Sequence, residues 1–400
     1  MKNTTLLLLL LMGLTATAQT IRIADNNANA PTGANIFTGA NALQNAINAA
    51  VANDIVYVQP SPTTYGTATI NKKITLRGIG GYATGQPFYS NVGAITLTNT
   101  SDNLSNASGT IVEGIQVAYP NNINVGTQSG ISPYTLQNVT ISNCVVSGNI
   151  NRVAGYQPAT NLTIKNCSTG INMVGTTPTT QLIIYNCRLY TGGGFVFLRL
   201  TSGQFTNVII SNNIITHNDG GNAFSFNGAV VSGAVMANNN FLGGTATSTS
   251  NFSGSLMADW LVTNNIFYGF APNSAFGTFE RNTYTNNISI GTTNNALPPA
   301  GTGTGNTGSG NKPGENPLFV NAPLNTAYTG NEDFNLQASS PAKNAGFDGT
   351  DMGITGGGYP VTEGNIKFKN TAIPVITVFT PASIVPQNQP VKANIKAKSN

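Results

Sequence analysis

The strongest constraint on this chain is a recurring four-residue pattern: an apolar residue, any residue, Asn, then Cys or Asn. It occurs as Ile141-Ser142-Asn143-Cys144, Ile164-Lys165-Asn166-Cys167 and Ile184-Tyr185-Asn186-Cys187. It continues as Ile210-Ser211-Asn212-Asn213, Met236-Ala237-Asn238-Asn239, Val262-Thr263-Asn264-Asn265 and Tyr284-Thr285-Asn286-Asn287. Successive copies lie 23, 20, 26, 26, 26 and 22 residues apart, inside the ~20–50-residue window of repeat architectures. β-Branched residues surround each copy, as in Val139-Thr140-Ile141 and Val208-Ile209-Ile210, and Gly follows within a few positions. These are short strands divided by turns. No helical period runs through the region.

A repeat of this length holds about three short strands and three turns. Stacking such coils sets like residues above like at ~4.8 Å, the spacing of adjacent strands. The expected fold is all-β, a parallel β-helix of about ten coils. One coil exposes both strand edges and is stable only within a stack. The fourth motif position, Cys144, Cys167, Cys187, Asn213, Asn239, Asn265 and Asn287, is expected to point inward as a structural ladder. Stacked amides donate to one another, which makes their burial tolerable, and Cys is a small buried residue that can end the column.

All 3 cysteines lie in that column. Export would permit a disulfide between adjacent coils, and the odd count leaves at least one thiol over. A metal site wants a tetrahedral set of closely spaced Cys and His. The single His, His217, lies elsewhere in the repeat, so a buried structural column is the preferred reading and no metal is expected.

Residues 1–18 read as a secretory signal peptide: Lys2, an apolar stretch from Leu6 to Leu14, and Ala16-Thr17-Ala18 before Gln19. That stretch is too short to span a bilayer, which takes ~20 residues, and no later segment is apolar enough. The protein is expected to be secreted or held at a bacterial cell surface. Residues 19–54 are expected to form an N-terminal cap, with a short helix over Ala42–Val51 presenting Leu43, Ile47 and Val51 on one face. The β-helix is then expected over 55–297, starting with the strand Ile55-Val56-Tyr57-Val58. Residues 298–358 would supply a loop and a cap over the C-terminal end of the stack, and 359–400 a tail with two strands.

Composition narrows the function. Only 8% of residues are charged and the formal net charge is +4, against about 25% charged in an ordinary domain. Coiled coils, disulfide scaffolds and basic nucleic-acid binders are excluded. A hydrophobic content of 40% excludes a disordered chain.

The segments Leu43-Gln44-Asn45-Ala46-Ile47, Ile55-Val56-Tyr57-Val58, Tyr65 and Ile74-Thr75-Leu76-Arg77-Gly78, with the Ile-x-Asn-Asn units, resemble pectin-lyase-like β-helix proteins. The stretch Asn316-Pro317-Leu318-Phe319-Val320, Asp333-Phe334-Asn335-Leu336 and Ser340-Pro341-Ala342-Lys343-Asn344-Ala345-Gly346 resembles the closing region of bacterial surface β-helices carrying a choice-of-anchor domain. The resemblance covers about residues 40–355. It implies right-handed coiling and a carbohydrate-related setting; fold alone does not fix function.

Catalytic chemistry is sparse. Glycoside hydrolysis needs two carboxyls across the scissile bond, and a calcium-assisted lyase needs several carboxylates for an ion that takes 6–8 oxygens. Asp102, Glu113, Asp219, Asp259 and Glu280 share no column of the repeat. The candidates that remain are His217 with Asp219, in a turn equally well explained by its turn-forming residues, and Lys165 with Arg188 as proton-transfer groups. Tyr185, Tyr190, Trp260 and Tyr268 are candidates for stacking sugar rings, with Asp259 beside Trp260. The preferred reading is a non-catalytic exported β-helix that binds polysaccharide or cell-surface glycan, or serves as a structural or adhesive module, without a cofactor. The alternative is a polysaccharide lyase or glycoside hydrolase, which alone would call for Ca²⁺.

Overall fold

The computed structural model describes residues 19–81, 88–99, 106–126, 134–152, 158–174, 177–190, 198–201, 203–217, 224–225, 230–243, 252–270, 274–292, 294–299, 303–368, 375–381 and 393–398. Two long sheets of parallel strands dominate them, one of 16 strands and one of 17. The chain passes from the first sheet to the second and back once per coil, a right-handed parallel β-helix of the hand that such crossovers adopt almost without exception.

Alternation of side chains along each strand fixes what lies inside. On the first sheet Val56, Leu76, Val112, Ile141, Ile164, Ile184, Ile210, Met236, Val262 and Tyr284 stand one above the next. All of them are buried. On the second sheet Val117, Val146, Thr169, Leu189, Ile215, Phe241 and Phe267 form another inner column. Phe241 and Phe267 stack there with centroids 4.8 Å apart. Each fully buried large apolar side chain contributes ~1.5–3 kcal/mol, so the core grows rung by rung along one continuous cluster.

The corner between the sheets accounts for the sequence motif. Asn143, Asn166, Asn186, Asn212, Asn238, Asn264 and Asn286 all take a left-handed backbone, with φ between 51° and 57°. Asn tolerates that region better than most residues. The bend swings the next side chain inward, and the column it builds includes the seven fourth-position residues, all buried. Asn239 Oδ1 accepts from the backbone N–H and the Nδ2 of Asn213, both at 3.0 Å. Its own Nδ2 donates to Asn265 Oδ1 at 3.0 Å and to the Ile210 carbonyl at 2.9 Å. The same bonding continues through Asn287 to Asn311. Below Asn213 the amides give way to thiols: Cys187 N–H donates to Asn213 Oδ1 at 2.9 Å, and Cys167 N–H to Cys187 Sγ at 3.5 Å. All three cysteines are free thiols, and burial pushes those of Cys144 and Cys167 well above the ordinary thiol range.

A second corner, entering the first sheet, has the same turn with less uniform residues. Asn138, Asn161, Gln181, Asn207, Gly233, Asp259, Arg281 and Gly305 all have positive φ there. The residues that follow them point inward, and where these become Asn282 and Asn306 a short second amide ladder forms.

Four features differ from the expected layout. The solenoid begins before residue 55: Ile21–Asp25 pairs in parallel with both Ile36–Thr38 and Ile55–Val58. The helix spans Ala42–Ala49 and packs against these first strands and Ala68–Ile70, while Val51 lies beyond it and is 56% exposed. The stretch expected to be a loop after 297 contains another coil, with Thr307–Ser309 on the first sheet and Lys312–Pro313 on the second. Its corner is Gly310-Asn311, glycine taking the left-handed position at φ 63°, so an Asn-Asn pattern does not reveal it.

The fourth difference is the largest. Residues 316–366, expected over the end of the stack, lie along its flank. Phe319, Phe334, Leu336, Met352, Ile354 and Ile366 cover Ile214, Leu242, Ile266, Tyr268 and Ile288 on the outer side of the second sheet. The segment 345–359 then runs back down the corner, opposite to the order of the coils. Asn286 Nδ2 donates to the Ala345 carbonyl, Asn238 Nδ2 to those of Asp351 and Gly353, and Asn212 Nδ2 to those of Ile354 and Gly356. Asn264 Oδ1 accepts from Phe347 N–H at 2.7 Å. In the tail, Val375–Pro381 and Ala393–Lys398 form an antiparallel pair.

Candidate binding face and cleft

The outward column of the first sheet gathers the chemistry that the sequence scatters. Tyr57, Arg77, Glu113, Ser142, Lys165 and Tyr185 occupy six successive rungs, a strip of ~24 Å at one strand spacing per step. Arg77 Nε donates to Glu113, and its guanidinium sits 5.8 Å from the Tyr57 ring centroid. Burial works against the Arg77 charge, but the Glu113 carboxylate outweighs it and holds the guanidinium above its ordinary range. At the other end Lys165 Nζ lies 6.0 Å from the Tyr185 centroid. Lys165 has no carboxylate within ion-pair distance among the described residues. Tyr185 in turn stacks on Tyr359 of the flanking segment, with centroids 4.1 Å apart and planes 19° from parallel.

A cleft of about 220 Å³ opens beside that aromatic pair, between Asn166 and Asn186 of the corner column and residues 360–367. Pro360, Val361 and Ile366 supply apolar wall. Glu363 and Lys367 pair with each other at 3.4 Å. Asn365 is engaged with Tyr328 and with the Gly330 and Glu332 carbonyls.

The sequence candidates do not converge. His217 is 1% exposed, in the strand Ile214–His217 paired with Asn240–Gly243, with its ring edge-on to Phe270 at 6.3 Å. It has no place in a surface site. Asp219 lies outside the described residues. Lys165 faces out from the first sheet, whereas Arg188 is on the second, beneath the flanking segment, 5.0 Å from the Phe368 centroid and 5.7 Å from that of Tyr328. The corner divides them, so they do not form a proton-transfer pair. Trp260 follows a left-handed residue and is turned into the core, 2% exposed, which removes it as a stacking platform. Asp259, at that left-handed position, is held by Arg281 through bonds of 2.9 and 2.8 Å. The Arg281 hydrogen bond keeps its carboxyl below the usual range. Tyr268 is buried against Phe319, and its hydroxyl donates to the Ala322 carbonyl. Of the sequence candidates, Lys165 and Tyr185 are on the outward strip. Tyr57 and Arg77, missed as site residues, would have been found by reading every outward position at the rung spacing.

Other titratable groups are structural. Buried Arg152 donates to Thr177 and Thr179, and burial lowers its guanidinium to about 10. Among the described residues no three His, Cys, Asp or Glu side chains come together as a metal-ligand set. No helix there is long and apolar enough to cross a membrane.

No family model matches this chain, and no curated protein matches it. Among solved structures it is similar to ORF18 of Geobacillus virus E2, with 15% identity over 68% of this chain and a TM-score of 0.32. It is also similar to QnrB1, a plasmid-mediated fluoroquinolone resistance protein, with 12% identity over 64% of this chain, 91% of that chain and a TM-score of 0.24. The match to the phage protein spans 56% of that protein's length.

Proposed function

We propose that this chain is an exported β-helix that binds glycan without cleaving it, through the outward strip of the first sheet. The observation that carries the reading is the column from Tyr57 to Tyr185, with an aromatic ring at each end and Arg77, Glu113 and Lys165 between, Ser142 being buried on the rung between Glu113 and Lys165. Tyrosine faces pack against the C–H faces of sugars while their hydroxyls remain hydrogen-bonded. A rigid parallel sheet presents these groups with little ordering cost on binding. The resemblance to pectin-lyase-like proteins and the signal-like residues 1–18 agree with a ligand met outside the cell.

The placement of titratable groups supports the non-catalytic form of this reading. Glu113 is tied to Arg77, His217 is buried, and Arg188 is on another sheet from Lys165. Among the described residues no second carboxyl shares this column with Glu113, whereas glycoside hydrolysis needs two across the scissile bond. The test is the mature protein against a panel of acidic and neutral polysaccharides, scored both for retention and for unsaturated products and reducing ends. Retention lost in Tyr57→Ala and Tyr185→Ala, with no product released, is the expected result. Product release would replace this reading with a lyase or hydrolase, and absence of retention across the panel would remove glycan binding altogether.

A further inference from the structure

The tyrosine that ends the outward strip is itself covered by another. Tyr185 is half-buried, and Tyr359 of the flanking segment stacks on it with centroids 4.1 Å apart and planes 19° from parallel. A ring packed that closely leaves no room for a sugar on the covered face. Tyr359 is 39% exposed, and its hydroxyl has no hydrogen-bond partner among the described residues. One of its faces lies on Tyr185, so the exposure belongs to the opposite face and the ring edge. The loop that carries it is closed at the base. Val361 N–H donates to the Ile354 carbonyl at 2.8 Å, Gly357 N–H to Thr350 Oγ1 at 2.8 Å, and Asn212 Nδ2 to the Gly356 carbonyl at 2.7 Å. Glycine makes so tight a loop possible: a Cβ on Gly356 would lie 1.8 Å from the Asp351 carbonyl oxygen, and Gly357 has φ 71°.

We propose that Tyr359 is the platform on which a sugar ring stacks at this end of the strip, with Tyr185 as its backing, so that the flanking segment completes the binding face. The inference rests on the glycan-binding reading above and moves the contact from the sheet to the segment. The stacked pair is flat, and the loop behind it is bonded on both sides, so the platform is ordered before a ligand arrives. It suits a sugar that is flat as well: a pyranose with all its hydroxyls equatorial, whose axial C–H bonds form both faces. A β-linked glucose chain meets that requirement at every residue. The free Tyr359 hydroxyl supplies a hydrogen bond at the rim of the ring. Because the platform exists only while the segment is docked, sugar binding and docking strengthen each other by the same factor.

The test titrates the mature protein with cellohexaose and reads hydrogen exchange at the Gly357 and Val361 amides. Saturable binding is expected, with slower exchange at both amides when the sugar is bound. Tyr359→Ala should weaken binding about thirty-fold, through the lost stacking and hydroxyl contacts, and abolish the slowing. Tyr359→Phe keeps the stacked pair and should weaken binding about five-fold through the hydroxyl alone, with sugar-free exchange unchanged. The platform is overturned if Tyr57→Ala loses cellohexaose while both Tyr359 variants bind it as tightly as the unaltered protein, or if bound sugar leaves the two amides exchanging at the same rate. Retention of another polysaccharide but not of cellohexaose overturns the sugar class and leaves the glycan-binding reading standing. Retention of none overturns both.

Discussion

The lower and upper rungs of the corner share one turn and differ in everything built on it. At Asn143-Cys144, Asn166-Cys167 and Asn186-Cys187 the inner column is thiol. At Asn212-Asn213 through Asn286-Asn287 the inner column is amide, and the outer Asn is bonded to the flanking segment. Backbone geometry accounts for the part they share, since a left-handed corner favours Asn whatever surrounds it. The difference shows that an inner amide is retained where it can complete a ladder, each one satisfied by the coils above and below. A thiol demands less, because an S–H is a weak donor and burying it leaves little unpaired.

Substitutions along the two halves test this difference. The largest effect is expected from Asn239→Ala. It removes the partner of Asn213 N–H, one of the two acceptors of Asn213 Nδ2 and a donor to the Ile210 carbonyl at once, and a loss of roughly 3 kcal/mol is expected in urea unfolding. A loss no greater than that of Cys167→Ala would show that the amide ladder carries no special weight. Next is Gly353→Ala, at φ +73° and close to Asn240, at about 2 kcal/mol. Hydrogen exchange should show the flanking segment released while the coils stay protected. Release of the coils as well would mean that the segment is part of their stability.

The thiol half should be revealed by pH. In the unfolded chain a thiol loses its proton near pH 8.5, while burial holds Cys144 and Cys167 protonated in the native state well above that. Between those limits the unfolded state binds fewer protons, so stability falls as pH rises. A Cys144→Ala/Cys167→Ala variant should flatten that slope, measured as unfolding midpoint against pH; an unchanged slope would assign it to other groups. The smallest effect is expected from Arg281→Ala, which breaks a fully exposed pair with Asp259. No measurable change in Tm is expected, because solvent screens such pairs. A clear drop in Tm would show that the second corner depends on its ion pair.

Much of the coil was legible in the chain itself. The spacing of Ile-x-Asn-(Cys/Asn) marks the period, and the β-branched runs mark strands, because side chains alternate and stack at fixed geometry. Reading stopped where the residue type changed while the backbone did not. Gly310-Asn311 closes a coil as Asn286-Asn287 does, but glycine carries no side chain to signal the repeat. Trp260 looked like a platform beside Asp259, yet a left-handed residue before it turns it inward.

The sequence by itself determined the solenoid: its period, its Asn corners and the apolar columns that fill it, all of which follow from local conformational preference repeated once per coil. Only the tertiary structure decided what covers the flank and which residues share the outward strip. Tyr57, Arg77, Glu113, Lys165 and Tyr185 lie far apart in the chain and become neighbours only through register. The flanking segment finds its place largely through main-chain carbonyls and glycines, groups that every sequence contains and that announce no partner.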